Sequence, residues 1–143
     1  MARNYYSEIQ LHVVFHTKES APLLTPKIEL FTHDYLRQRL VKSPGVFVHE
    51  IGGTENHVHI ALRVPPTVLV SELIGQLKSS SSHEVNQVLG RGRKLLEWQA
   101  GYGVVSFGTR NLKWVLEYVR NQREHHASGT IQARLERVSE EEG

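Results

Sequence analysis

The chain has 143 residues, of which 39% are hydrophobic and 22% are charged, values that suit one soluble globular domain. It contains no cysteine, which excludes disulfide bonds, thiolate metal sites and a cysteine nucleophile. No apolar run reaches the ~20 residues that a membrane helix needs, and the N-terminus has no apolar signal core, so we expect a cytoplasmic protein without a membrane segment.

The charge of the chain is unevenly distributed. The formal net charge is only +2, but residues 136–142 carry four glutamates against one arginine, so the remaining body is distinctly basic. A basic body favours a polyanionic partner. A merely solvated surface is the alternative that charge alone leaves open.

The periodicity of apolar residues and the turn residues predict the elements of the fold. In chain order they are a strand over 8–16, a helix over 27–41 with Thr25 as N-cap, a hairpin of strands over 46–52 and 57–64, a helix over 70–89, a strand over 101–108, a helix over 111–126 and a polar tail over 127–143. The order β-α-β-β-α-β with an appended helix is the ferredoxin-like α+β arrangement. It predicts an antiparallel sheet with its first and third strands adjacent, helices on one face and the other face free for a ligand. We therefore expect one domain over 1–126, followed by the tail.

Two histidines, His57 and His59, lie two residues apart in the second strand of the hairpin. Because strand side chains alternate between faces, the apolar neighbours face the helices and both histidines face the free side. The same alternation places His12 and His16 of the first strand on that side. Such a pair can bind one divalent ion and leave positions for substrate oxygens. Two solvated strand histidines are the alternative.

The last predicted helix carries a tyrosine and a glutamine four residues apart, Tyr118 and Gln122. This spacing places one side chain above the other at the flank of the packing stripe. The Gln122 amide oxygen can serve as a metal ligand, and a tyrosine beside a metal-bound phosphate can be a nucleophile. A tyrosine at the rim of the core is the alternative.

Four segments in this order resemble the small single-tyrosine HUH transposases of bacterial and archaeal insertion sequences, including the stand-alone REP-associated enzymes. They are HVHIAL (57–62), LKSSSSHEVN (77–86), EWQAGYGVVSFG (97–108) and YVRNQREHH (118–126). The resemblance covers roughly residues 5–126 and keeps the order and spacing of the motifs.

The resemblance implies a role for each of four residues. It makes His57, His59 and Gln122 the ligands of a divalent metal, Mg²⁺ or Mn²⁺, and Tyr118 the nucleophile. The family cuts single-stranded DNA, forms a 5′-phosphotyrosine with a free 3′-OH, and rejoins strands after recognising hairpins near the ends of the element. Asn56 stands where the family often has Asp, and we expect little effect because a turn tolerates both.

The resemblance also implies two partners, single-stranded DNA with hairpin ends and a second copy of the chain. Dimeric members of the family place the tyrosine helix of one subunit against the histidines of the other, so we expect a homodimer with composite sites. The side chains that would follow DNA phosphates are Lys78, Arg91, Arg93, Lys94, Arg110, Lys113, Arg120 and Arg123. For each of them, a solvated surface charge is the alternative.

Two other functions suit parts of the pattern. One is a non-catalytic nucleic-acid-binding module on the same sheet, and the other is a metal hydrolase that uses the histidine pair without the tyrosine. The presence of His57, His59, Tyr118 and Gln122 together favours the transposase.

Overall fold

A computed structural model of the chain describes residues 4–139 and contains one four-stranded sheet. The strands are β1 (Ile9–His16), β2 (Phe47–Thr54), β3 (His57–Val64) and β4 (Gly103–Phe107), in the spatial order β2-β3-β1-β4. All three neighbouring pairs are antiparallel, with β1 and β3 at the centre as predicted. Residues 140–143, the end of the predicted tail, lie outside the described residues.

Two long helices, α1 (Pro26–Val41) and α2 (Val70–Val88), connect the strands in the predicted order. α1 begins at Pro26 after Thr25 at the N-cap, because the fixed φ of proline suits the first helical turn. The order of these elements, β-α-β-β-α-β, confirms the predicted ferredoxin-like α+β fold. No helix within 4–139 combines the length and apolar content that a membrane crossing would require.

The main hydrophobic core lies between the sheet and these two helices. Alternate residues of β1 and β3 point into it, because the period of a strand is two residues. The core also takes one stripe of each helix. Its most deeply buried members include Phe15, Leu36, Leu40, Val58, Ile60, Leu62, Ile74 and Val85.

The opposite face of the sheet is covered by a further helix, α3 (Leu112–Arg120), so the expectation that this face stays open is wrong. Val115 and Val119 of α3 pack on Ala61 of β3. A Cβ atom on Gly52 of β2 would lie 1.9 Å from the carbonyl oxygen of Val119. The helix backbone therefore rests directly on the sheet at residues too small to hold it away.

The last predicted helix, 111–126, is broken in the structure. Asn121 has φ −106° and ψ 38°, which ends α3 and separates it from α4 (Gln122–Ser128). Its side chain donates a hydrogen bond to the Glu117 carboxylate. Asparagine favours such breaks because its side chain competes for local hydrogen bonds.

The segment predicted as a polar tail contains a short helix, α5 (Ala133–Glu136). Leu135 is buried, and the Arg134 guanidinium donates a hydrogen bond to the carbonyl of Ser106 in β4. These contacts attach α5 to the face of the sheet that carries the histidines.

Candidate active site

Four imidazoles lie together on the face covered by α3. His16 pairs with His57 across the β1–β3 ladder, and the two rings stack with centroids 5.1 Å apart. His12 Nε2 and His59 Nδ1 share a hydrogen bond of 2.7 Å. His57 and His59 are 2% and 0% exposed, so the alternative of two solvated histidines is wrong.

The proton of His57 is held on Nδ1 by its neighbours. Nδ1 lies 2.7 Å from the Asn56 amide oxygen, which only accepts hydrogen bonds, and 2.9 Å from the Thr54 hydroxyl. Its Nε2 atom is thereby left with a free lone pair. Asn56 thus acts as the acceptor that orients this ring, a common arrangement behind metal-binding histidines.

Burial keeps the site histidines neutral. It lowers the pKa of His57 to about 3 and that of His12 to about 3, and it lowers the pKa of His59 well below its usual range. Neutral imidazole is the form that binds metals. A ligand bond from His59 Nε2 would require its proton on Nδ1, and His12 Nε2 stands in position to accept that proton.

Tyr118 reaches this group from α3. The side chain is 1% exposed, and its ring meets the His59 ring edge-on at 5.9 Å. Its hydroxyl donates a hydrogen bond to the carboxylate of Glu136 and accepts one of 2.9 Å from the backbone N–H of Gln132. Burial, assisted by the Glu136 carboxylate, raises the pKa of the phenol, so Tyr118 is protonated in this arrangement.

Gln122, the first residue of α4, joins the tyrosine to the histidines. Its amide nitrogen donates a 2.8 Å hydrogen bond to the carbonyl of Tyr118. This contact directs its amide oxygen toward His57 Nε2, 3.2 Å away. The predicted proximity of Tyr118 and Gln122 thus survives the helix break at Asn121.

The structure adds two residues that the sequence did not identify, His126 and Glu136. One Glu136 carboxylate oxygen lies 3.1 Å from His59 Nε2 and 3.6 Å from His57 Nε2, and the other lies 3.5 Å from His126 Nε2. One donor atom from each of these four residues lies within 4.8 Å of the others. His126 belongs to the quoted YVRNQREHH motif, whereas nothing in the sequence singled out Glu136.

The donor chemistry of this cluster fits a divalent cation. With its proton on Nδ1, His57 presents a lone pair to the amide oxygen of Gln122 and to the carboxylate of Glu136, and all three atoms are acceptors. Facing acceptors repel each other unless a proton or a cation lies among them. The mixed nitrogen and oxygen set suits Mn²⁺ better than Mg²⁺, which prefers oxygen.

The predicted DNA-contacting cations fall into two groups. Five of the eight are engaged within the fold: Lys78 with the carbonyls of Gln99 and Gly101, Arg93 with the carbonyl of Gly90, Lys94 with Glu97, Arg120 with Glu50, and Arg123 with Glu29 and Glu55. Arg91, Arg110 and Lys113 are exposed, and none of them forms an ion pair with a residue in the described part of the chain.

A ferredoxin-like sheet that brings an H-x-H pair, a tyrosine and a glutamine together is the arrangement expected of a single-tyrosine HUH transposase. A family model described as IS200-like transposase matches residues 5–122. The chain belongs to this family.

Individual proteins agree with this assignment. The chain is 27% identical over 124 residues to the transposases for insertion sequence element IS200 of Salmonella typhimurium and Salmonella typhi, covering 82% of this chain and 79% of each relative. A putative transposase from Deinococcus radiodurans R1 has a similar structure, with a TM-score of 0.67 and 18% identity over 85% of this chain and 96% of that one. A REP-associated tyrosine transposase bound to a REP hairpin has a TM-score of 0.60 and 16% identity over 88% of this chain and 73% of that one. At these identities, the structural likeness concerns the fold.

Proposed function

We propose that this transposase cleaves and rejoins single-stranded DNA through a covalent bond between Tyr118 and a 5′-phosphate. The phenol oxygen forms a bond to phosphorus, the bond from phosphorus to the 3′-oxygen breaks, and that oxygen leaves as a 3′-hydroxyl that carries the proton. Attack of a 3′-hydroxyl on the phosphotyrosine reverses these changes and rejoins two strands. The covalent bond conserves the phosphodiester energy, so no ATP is consumed.

The observation that carries the proposal is the convergence of Tyr118, His57 and His59 on one carboxylate, that of Glu136. A carboxylate and a phosphodiester both present anionic acceptor oxygens. A phosphate that took the position of this carboxylate would lie beside the phenol oxygen and both histidines. This favours phosphoryl chemistry at Tyr118 over a purely structural tyrosine.

A divalent metal is part of the proposal, with His57, His59 and Gln122 as its ligands. Such a cation would neutralise a nonbridging phosphate oxygen and stabilise charge on the leaving oxygen. Glu136 and His126 lie in the same cluster and would supply two further donors in the DNA-free protein, before a phosphate takes the position of the Glu136 carboxylate. The chain prepares these ligands in two ways: burial keeps the histidines neutral, and the hydrogen bond to the Tyr118 carbonyl orients the Gln122 amide.

The proposed DNA partner carries hairpin ends, as implied by the family and supported by the hairpin bound to the REP-associated neighbour. The site described above is built within one chain. A homodimer with composite sites stays a prediction, which is tested by mixing Tyr118→Phe chains with His59→Ala chains. Recovered strand cleavage in the mixture would require sites shared between subunits.

The proposal is tested with synthetic single strands copied from the DNA that flanks the coding region. Each strand is incubated with the protein and Mn²⁺ and then resolved on a denaturing gel. We expect a protein–DNA adduct that is absent with Tyr118→Phe and with EDTA. Tyr35→Phe is the matched control, because Tyr35 lies on α1, on the other side of the sheet, and should retain the adduct.

The two rival functions give different results in the same assay. Phosphodiester cleavage that persists in Tyr118→Phe would make the protein a metal hydrolase. Tight, specific binding of hairpin strands without an adduct or free 3′ ends under any metal condition would make it a binding module. Either outcome would overturn the proposed role of Tyr118.

A further inference from the structure

The exposed tryptophan of α3, Trp114, lies one helical turn before Tyr118. The two rings stack nearly parallel, with centroids 5.9 Å apart and an interplanar angle of 15°. Trp114 is 49% exposed, whereas Tyr118 is 1% exposed. The nucleophile of the proposed reaction is therefore covered on one side by an indole that itself faces solvent.

Trp114 is not among the residues that hold α3 on the sheet. α3 is held on the sheet by Val115 and Val119, which lie on its buried side. The other tryptophan of the chain, Trp98, has an ordinary structural role, because it packs edge-on against Phe15 and donates a hydrogen bond to Ser81. Trp114 forms no comparable hydrogen bond within residues 4–139.

Unpaired positive charge lies beside Trp114. Arg110 precedes it by four residues and Lys113 by one; both are exposed and outside every ion pair of the described residues. The arginines that follow Tyr118 in the chain are already in ion pairs, because Arg120 pairs with Glu50 and Arg123 pairs with Glu29. The end of α3 that carries Trp114 thus combines an exposed aromatic face with available cations, the two features by which proteins bind single strands.

We propose that Trp114 stacks on an unpaired base of the DNA strand next to the phosphate that Tyr118 attacks, while Arg110 and Lys113 contact the flanking phosphates. The inference rests on the proposed function and adds a subsite for a nucleobase to it. Every base has a π-face, so this contact fixes the position of the strand with little sequence preference. A base held there would place the neighbouring phosphate at the tyrosine.

The test uses Trp98→Phe protein, in which Trp114 is the remaining tryptophan. Its fluorescence is titrated with oligothymidine and, separately, with a strand of the same length whose sugars are abasic, so that the phosphates are equal and the bases are absent. We expect quenching by oligothymidine and binding about 5- to 150-fold tighter than to the abasic strand, the range that one stacked base supplies. Trp114→Ala and Trp114→Phe lack this indole, so the binding of the two strands to these variants is measured by fluorescence anisotropy of dye-labelled strands. Trp114→Ala should abolish the preference for bases, and Trp114→Phe should keep part of it.

Phe47→Ala is the matched control, because Phe47 is an exposed aromatic residue at the end of the hairpin that is farthest from His57. It should keep the preference for bases. An unchanged preference in Trp114→Ala would overturn the inference. So would Trp114 fluorescence that changes with protein concentration alone, together with a dimer lost in Trp114→Ala, because a second copy would then cover the indole.

The inference and the proposed function fail separately. Adduct formation at Tyr118 with no base preference at Trp114 would leave the reaction standing and remove the nucleobase subsite. A base preference that depends on Trp114, in a protein that forms no adduct, would overturn the reaction and keep the binding contact.

Discussion

Replacement of Gly52 by alanine tests how α3, and with it the tyrosine, is positioned on the sheet. The added methyl group would lie 1.9 Å from the carbonyl oxygen of Val119 and 2.9 Å from its carbonyl carbon. Both are backbone atoms of a helix, so no side-chain rotation can relieve the contact. The helix has to move away from β2.

The structure sets the size of this effect. The 1.9 Å contact must lengthen to at least 3.0 Å, which shifts α3 by about 1 Å. Overpacking of this kind costs about 1–3 kcal/mol of unfolding free energy. Tyr118 is the neighbour of Val119 on α3, and a 1 Å displacement of a reacting group can slow a reaction about 100-fold. We expect Gly52→Ala to lose both stability and adduct formation.

Gly75→Ala is the matched control and should have the opposite effect on stability. Gly75 lies within α2, and nothing lies within 4 Å of a Cβ atom built there. An alanine in a helix interior is favoured over glycine by about 0.5–1 kcal/mol, so this variant should gain stability and keep the adduct. Urea unfolding of both variants gives the two free energies. A Gly52→Ala protein that is as stable and as active as the unchanged chain would refute the direct backbone contact between α3 and β2.

Two further predictions concern the buried polar cluster. In metal-free protein, His12 and His57 have folded-state pKa values of about 3, below the ordinary 6.5, so the unfolded chain binds more protons below pH 6.5. The contribution of these histidines to the free energy of unfolding is therefore fully present above pH 6.5 and is lost toward pH 3, with about 2 kcal/mol lost per histidine at pH 5. Calorimetry in EDTA should show a lower Tm at pH 5 than at pH 7.5. An equal Tm at the two pH values would contradict neutral histidines in the folded protein. Glu136→Gln should weaken Mn²⁺ binding about 10- to 100-fold in titration calorimetry, whereas Glu97→Gln, which alters a surface pair, should leave it unchanged. Equal Mn²⁺ affinity in Glu136→Gln would place Glu136 outside the metal site.

Local patterns in the sequence were sufficient to predict which residues of the site share one face. The alternation of β1 and β3 fixes the side on which His12, His57 and His59 project, because one residue of shift would place the core residues in solvent. The spacing of Tyr118 and Gln122 predicts their contact, which holds even though the helix breaks between them.

Local patterns in the sequence did not predict that α3 covers the site. It depends on Gly52, which has no side chain, and on the small side chain of Ala61. Both leave room for a helix from far along the chain, and neither leaves a local periodic signal. Glu136 is a further case, since it follows Leu135 in a stretch whose composition is typical of a solvated tail. Only the docking of α5 on the sheet brings its carboxylate to Tyr118.

The bond between Tyr118 and DNA is the central claim, and peptide mass spectrometry of the adduct tests it most directly. After nuclease trimming and proteolysis, the peptide that contains Tyr118 should carry a nucleotide joined through its 5′-phosphate, and the released strand should end in a 3′-hydroxyl. A nucleotide on another residue, or cleavage that leaves every tyrosine unmodified throughout the reaction, would contradict the account.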